Sequence, residues 1–245
     1  MDQFFKEIKN QIETDFEKKS ALQDLEHQFD VSIIPFKSKF NDKITILPNK
    51  LKSEENVSVF ISEVVSNYEK FSKSVSELNA KFGQKERLQN KIVEESIYYL
   101  LISNYFQVLS NSYTNEVIRI QFVSEKENGI ILTPEQVKSL LNFDKIDYQI
   151  YLISLLKLIE VIVEYTLNSV INQSIENESI SSNYSISLIN SQIVSKLQNG
   201  FQLLDLKNDI LRKKYDSLKY NYQRLNKIVY DLTLRNLITT KIELL

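Results

Sequence analysis

The stretch LQNGFQLLDLKNDILRKKYDSLKYNYQRLNKIVYDL, residues 197–232, places leucine at every seventh position: Leu197, Leu204, Leu211, Leu218, Leu225 and Leu232. An α-helix brings seven-residue spacing back to nearly one face, so these leucines predict one stripe along about five heptads. No proline interrupts it, and Gly200 is its only glycine. With the leucines at d, the a positions read Phe201, Asn208, Tyr215, Tyr222 and Val229. Such a helix needs a partner surface, from its own chain or another. Leu203, Leu206 and Ile210 are apolar off the stripe. A two-stranded coiled coil buries only a narrow seam, so this width favours a helix packed inside a bundle over a free zipper. The pattern predicts a last long helix from about 186 to 236.

Outward from that helix, the chain has few residues that break structure. Among 245 residues there are 3 glycines and 3 prolines, which leaves long helices as the main option. Apolar residues make up 42%, ample for a core, and their spacing is helical rather than alternating. The expectation is an all-α bundle in a single domain over residues 1–245. Cysteine is absent, which excludes disulfides, thiolate zinc sites and a cysteine nucleophile. The single histidine, His27, lies in a charged helical stretch and reads as a surface or packing residue. The acidic, amphipathic start, Met1 to Glu7, lacks the pattern of a signal peptide. The most apolar runs, Ile97 to Leu109 and Ile150 to Val163, are shorter than a membrane span and read as central helices. No membrane partner is expected. A net charge of −2 gives no global attraction to nucleic acid, so binding would need local basic clusters.

A first amphipathic helix over about 2–29 carries Phe4, Phe5, Ile8, Ile12 and Phe16 on one side, with Pro35 and Pro48 as breaks or kinks. A second covers about 53–82 and ends at Gly83. A third runs from about 85 to 110. Residues 124–130 read as a loop. Thr133, Pro134 and Gln136 form a helix start with a capping box, opening a short helix to about 142. A long buried helix follows from about 145 to 172, and 172–185, rich in Ser, Asn and Glu, reads as a mobile loop.

Two clusters could carry chemistry. One is basic: Lys207, Arg212, Lys213, Lys214, Lys219, Arg224 and Lys227, interleaved with Tyr215, Tyr220 and Tyr222. Cations neutralise phosphates and tyrosines stack on unpaired bases, although by pattern alone a solvated helix face is the better reading. Lys81, Lys85, Arg87 and Lys91 form a smaller group. The other cluster is acidic: Glu94 and Glu95 on one central helix, Glu160 and Glu164 on another. Carboxylates on facing helices can hold Mg²⁺. Lys157, three residues before Glu160, favours a salt bridge instead. No phosphate loop, dinucleotide fingerprint or nucleophile elbow occurs.

The C-terminal run resembles the translin family. The likeness rests on Gly200-Phe201, Leu203-Leu204, Leu206-Lys207-Asn208-Asp209, Leu211-Arg212-Lys213, Tyr215-Asp216, Leu218-Lys219-Tyr220, Val229-Tyr230-Asp231-Leu232 and Arg235. Upstream, Lys81-Phe82, Tyr151-Leu152 and Asn168-Ser169-Val170 add weaker matches. The Leu-Lys-Asn-Asp and Leu-Lys-Tyr elements resemble the translin branch rather than its paralogue, translin-associated factor X. The resemblance implies a seven-helix protein that assembles as an octamer and binds single-stranded RNA and DNA. It also implies a partner of the paralogue type. That pair forms a Mg²⁺-dependent endoribonuclease in RNA silencing and transfer-RNA processing, with the paralogue supplying the catalytic acids.

Aligned through Asn168-Ser169-Val170, two paralogue acids fall on Lys157 and Val161. Two more fall at Glu94 or Glu95 and at Tyr98 or Tyr99. Charged lysine and valine cannot ligate Mg²⁺. The chain is therefore expected to carry no catalytic or metal site and to act as the non-catalytic subunit. The family's GTP stretch is not reproduced by Ile171-Asn172-Gln173-Ser174, so no cofactor is expected. Lys85, Arg87, Lys91, Arg212, Lys213 and Lys214 are the expected phosphate contacts, the last three resting on the resemblance. The stretch from Lys85 to Lys91 is shorter than the family's basic segment and lacks its His and Trp, which implies weaker affinity. The leucine stripe is the expected packing and oligomer surface, and a cytoplasmic location extending to the nucleus is the expected setting. A purely structural helical scaffold and an intrinsic Mg²⁺ endoribonuclease are the competing readings.

Overall fold

The computed structural model describes residues 2–45, 57–83, 86–112, 117–124, 129–175, 184–206, 210–238 and 241–245. Seven helices are present among them: α1 (Asp2–Thr45), α2 (Val57–Phe82), α3 (Glu86–Ser112), α4 (Pro134–Leu140), α5 (Tyr148–Ile175), α6 (Ser185–Gln202) and α7 (Ile210–Leu234). A short strand β1 (Val117–Ile120) pairs in parallel with β2 (Lys241–Leu244), Ile118 opposite Ile242. The all-α expectation holds, with this small ladder added. None of the described helices is long and apolar enough to cross a membrane.

α5 is the centre. Its buried residues, from Ile150, Tyr151 and Ile153 to Tyr165, Thr166 and Ser169, point to most sides of the helix, leaving one edge at Glu160, Glu164, Ile171 and Ile175 exposed. A helix apolar over most of its surface needs cover on several sides, and α1, α3, α6 and α7 pack on it. α3 is pinned beside it by rings: Phe106 meets Tyr165 edge-on at 5.3 Å, and Phe40 of α1 stacks on Tyr99 at 5.6 Å. A buried polar relay crosses the same core. Tyr105 Oη donates to Asn190 Oδ1 at 2.8 Å, and Asn190 Nδ2 donates to Thr166 Oγ1 at 2.8 Å. Three helices, α3, α6 and α5, are thereby fixed in register.

Several helix ends were legible. Gly83, at φ +79°, follows the last residue of α2, and its N–H reaches Asn79 O at 2.9 Å. That left-handed conformation suits glycine. Thr133 Oγ1 accepts from the Gln136 N–H at 3.2 Å, and Gln136 Oε1 accepts from the Thr133 N–H at 2.8 Å. Of the expected loop 172–185, residues 172–175 are the last turn of α5 and Ser185 begins α6. Residues 176–183 lie outside the described residues, as does Pro48.

Two expectations fail. The first helix does not stop near residue 29 but runs through Pro35 to Thr45. Leu25, Phe29, Ile33, Phe36, Phe40 and Ile44 form a continuous buried stripe on it. Pro35 and Val31, whose carbonyl loses its partner, are on the solvent side, where water serves that carbonyl. The earlier stripe of Phe4, Phe5, Ile8, Ile12 and Phe16 lies before this packed region, and all five are exposed.

The last helix is also two helices rather than one. α6 ends at Gln202, where the Leu203 and Leu204 N–H groups make tight bonds to Gly200 O and Phe201 O, both at 3.1 Å. α7 then returns along α6, with Phe201 stacked on Tyr215 at 5.8 Å and Ser191 Oγ bonded to Asn226 Oδ1 at 3.0 Å. A continuous 50-residue helix would extend about 75 Å and need another chain to cover its stripe. Folding back near Gly200 buries Leu197, Leu211, Leu218, Leu225 and Leu232 within this chain. Leu204 falls in the turn and is 41% exposed.

Replacing the solvent-facing proline, Pro35→Ala, is expected to stabilise the protein by about 1–3 kcal/mol by restoring a helix hydrogen bond. Leu225→Ala is expected to cost about 2–5 kcal/mol. Chemical denaturation measures both; an unchanged midpoint for either variant would contradict the corresponding packing argument.

Candidate nucleic-acid interface

The acidic residues do face one another across α3 and α5, but a lysine fills the space between them. Lys157 Nζ lies 2.8 Å from Glu94 Oε1 and 2.7 Å from Glu95 Oε1, and 5.3 Å from the centre of the Tyr98 ring. Its partners are thus across the helix pair, rather than Glu160 on its own helix. Glu160 and Glu164 are exposed at the edge of the cluster. Burial disfavours the Lys157 ammonium, yet the hydrogen bonds it donates to Glu94 and Glu95 outweigh that and raise the pKa above the ordinary lysine value. Lys157 therefore stays charged at neutral pH. Tyr98 is pushed up by burial and then by the charges of Glu95, Glu160 and Glu164. Among the described residues, no group of three or more acids or histidines is placed to hold a metal ion.

The basic residues divide between two helices. Arg87 is exposed in the first turn of α3, while Lys85 lies outside the described residues. Lys91 is held by Glu26 at 2.9 Å and Asp30 at 2.7 Å. Those two carboxylates already compensate its charge, which leaves it poorly suited to a phosphate. Burial opposes the Lys91 ammonium, but both acids together raise its pKa. α3 packs on α2 and α5, whereas α7 packs on α5 and α6, so Arg87 does not join the C-terminal cations in one cluster. His27 is exposed, as a surface residue should be.

On α7, the run Arg212, Lys213 and Lys214 is split three ways, because consecutive helical residues point about 100° apart. Arg212 approaches Asp216 at 3.4 Å, Lys213 faces solvent, and Lys214 is half-buried toward the bundle. The more coherent basic surface is one that the consecutive run obscures. Lys213, Arg224 and Lys227 are exposed on the side opposite Leu211, Leu218 and Leu225, with Lys219 exposed on a flank. None of these four forms an ion pair among the described residues. The heptad register contains this signal, since residues opposite a buried d stripe must face water.

The fold is thus a helical bundle around a largely apolar central helix, with a row of exposed cations on the outer side of α7. The Translin family profile matches residues 38–236, and the chain belongs to that family. A translin of Gallus gallus is 34% identical over 128 residues, 49% of this chain and 52% of the relative. Those of Homo sapiens and Mus musculus are 34% identical over 121 residues, 46% of this chain and 49% of theirs. The chain thus spans about half the length of the curated relatives it matches.

Removing the bridging ammonium by Lys157→Met leaves two adjacent carboxylates facing each other and is expected to cost about 1–3 kcal/mol. Because the folded-state pKa is raised, the lysine's contribution is complete below the unfolded lysine value and fades only as pH rises past it. Denaturation of both proteins at neutral and at strongly alkaline pH checks this; a gap that is absent at neutral pH, or unchanged in strong alkali, would refute it.

Proposed function

We propose that this chain is a translin-type subunit that binds single-stranded RNA or DNA as part of a ring-shaped oligomer, an octamer by family likeness. The observation that carries the reading is the solvent face of α7, where Lys213, Lys219, Arg224 and Lys227 stand without carboxylate partners among the described residues. Arg87, Arg212 and Lys214 are secondary candidates for phosphate contact. In a chain of net charge −2, such a local surface is what would draw a polyanion. Family membership supports the preference for unpaired strands.

Assembly is supported by apolar surface that one chain leaves uncovered. Phe4, Phe5, Ile8, Ile12 and Phe16 are all exposed on the first turns of α1, and Leu203 is 87% exposed in the turn after α6. Side chains of this size, exposed in contiguous patches, mark interaction surfaces. The buried heptad leucines serve the fold, so the oligomer seam is assigned to these other residues and to Leu204.

The non-catalytic reading rests on Lys157, whose ammonium already bridges Glu94 and Glu95 and occupies the space between them. An endoribonuclease function would then require a translin-associated factor X-like partner contributing the acids. RNA silencing or transfer-RNA processing, in the cytoplasm or nucleus, is the setting this partnership suggests.

Filter binding with matched single-stranded and duplex oligonucleotides tests the reading. Tighter retention of single strands is expected, with affinity falling as salt rises. Equal retention, or no salt dependence, would overturn it. Native mass measurement should give an oligomer rather than a monomer. Incubation with single-stranded RNA and Mg²⁺ should leave the RNA intact; cleavage abolished by Glu95→Gln would overturn the non-catalytic assignment.

A further inference from the structure

The three tyrosines among the α7 cations are not equivalent. Tyr215 stacks on Phe201 at 5.8 Å. Tyr222 is partly buried and receives a long hydrogen bond from Ser195 Oγ at 3.5 Å. Hydrogen bonding to Ser195, then to Asn226, draws its pKa below the ordinary tyrosine value, so its hydroxyl is engaged with α6. Tyr220 is different. It is 71% exposed and makes no hydrogen bond or ring contact among the described residues.

Its position on the helix is equally specific. Lys213, Tyr220, Arg224 and Lys227 are spaced by seven, four and three residues. At about 100° per residue they fall within about 60° of one another, roughly opposite the buried leucines. From Lys213 to Lys227 the stripe is about 21 Å long. Its acidic neighbours bound it: Asp216 leans toward Arg212 on one flank, and Asp231 follows Lys227 by one turn.

We infer that Tyr220 is a base-stacking platform, with Lys213, Arg224 and Lys227 holding the phosphates on either side of the stacked base. The inference rests on the single-strand-binding reading above and deepens it by naming the outer face of α7 as the track. An exposed aromatic ring costs solvation, and a ring set among cations matches a strand whose backbone is anionic and whose bases are unpaired. Duplex would not fit, because its bases are already stacked. Arg224, four residues from Tyr220, is placed to close over the outer edge of the same base.

The test uses the full chain and a labelled oligouridylate. Tyr220→Ala, at an exposed site, should weaken binding about five- to 150-fold, whereas Tyr220→Phe should bind like the parent. Replacing Lys213, Arg224 and Lys227 together by alanine should flatten the salt dependence by about two in log–log slope. The chain has no tryptophan, so Tyr220→Trp installs a single reporter whose emission should be quenched when a base stacks on it. If the parent binds single strands but Tyr220→Ala binds equally well and the Tyr220→Trp emission does not change, the platform is refuted. If the parent itself does not bind single strands, the broader reading falls and takes the platform with it.

Discussion

α5 is buried over most of its surface, with one edge carrying Glu160, Glu164, Ile171 and Ile175 open to solvent, and the arrangement of the rest of the chain follows from that. Burying one apolar face needs one partner; burying most of a cylinder needs several, set around it. α1, α3, α6 and α7 supply that cover. Packing alone would let such helices slide along one another. The Tyr105–Asn190–Thr166 relay opposes this, because each buried polar group would lose its partner if the helices shifted by a turn.

Charge follows the same division between inside and outside. Two cations that face neighbouring helices are committed to carboxylates: Lys157 to Glu94 and Glu95, Lys91 to Glu26 and Asp30. The cations along the outside of α7 have water in front of them. A single sequence count of lysines and arginines cannot separate these groups, because the difference lies in which helix stands opposite. That is why Lys91 and the Arg212–Lys214 run carried more weight in the sequence than their geometry supports, and why Arg224 and Lys227 carried less.

Local chemistry was legible wherever a few adjacent residues determine the outcome. Gly83 ends a helix by its own φ, and Thr133 with Gln136 starts one by reciprocal bonds. The helical class followed from the scarcity of glycine and proline. What escaped were outcomes decided by distant partners. Pro35 is a breaker in isolation, yet the stripe from Leu25 to Ile44 holds the helix through it. The heptad ladder specified a face but not whether the helix carrying it was continuous. The turn at Leu203 and Leu204 lets the chain cover its own leucines instead of a neighbour's. The β1–β2 ladder joins four-residue segments more than a hundred positions apart, too short to give a periodic signal. Asn104 Nδ2 anchors the neighbouring loop through Gly129 O at 2.8 Å, and a side chain at Gly129 would come within 2.7 Å of Val123 Cα.

The free end of α1 has a thermodynamic consequence of its own. The turns of α1 through Phe16, exposed among the described residues, are marginal as a helix in water, since propagation gains little over the cost of starting. Whatever covers Phe4, Ile8, Ile12 and Phe16 therefore also sets how helical that segment is. Its helix content becomes a readout of mass action, rising with the concentration of whatever surface receives it, while the packed turns from Leu25 onward keep their structure regardless.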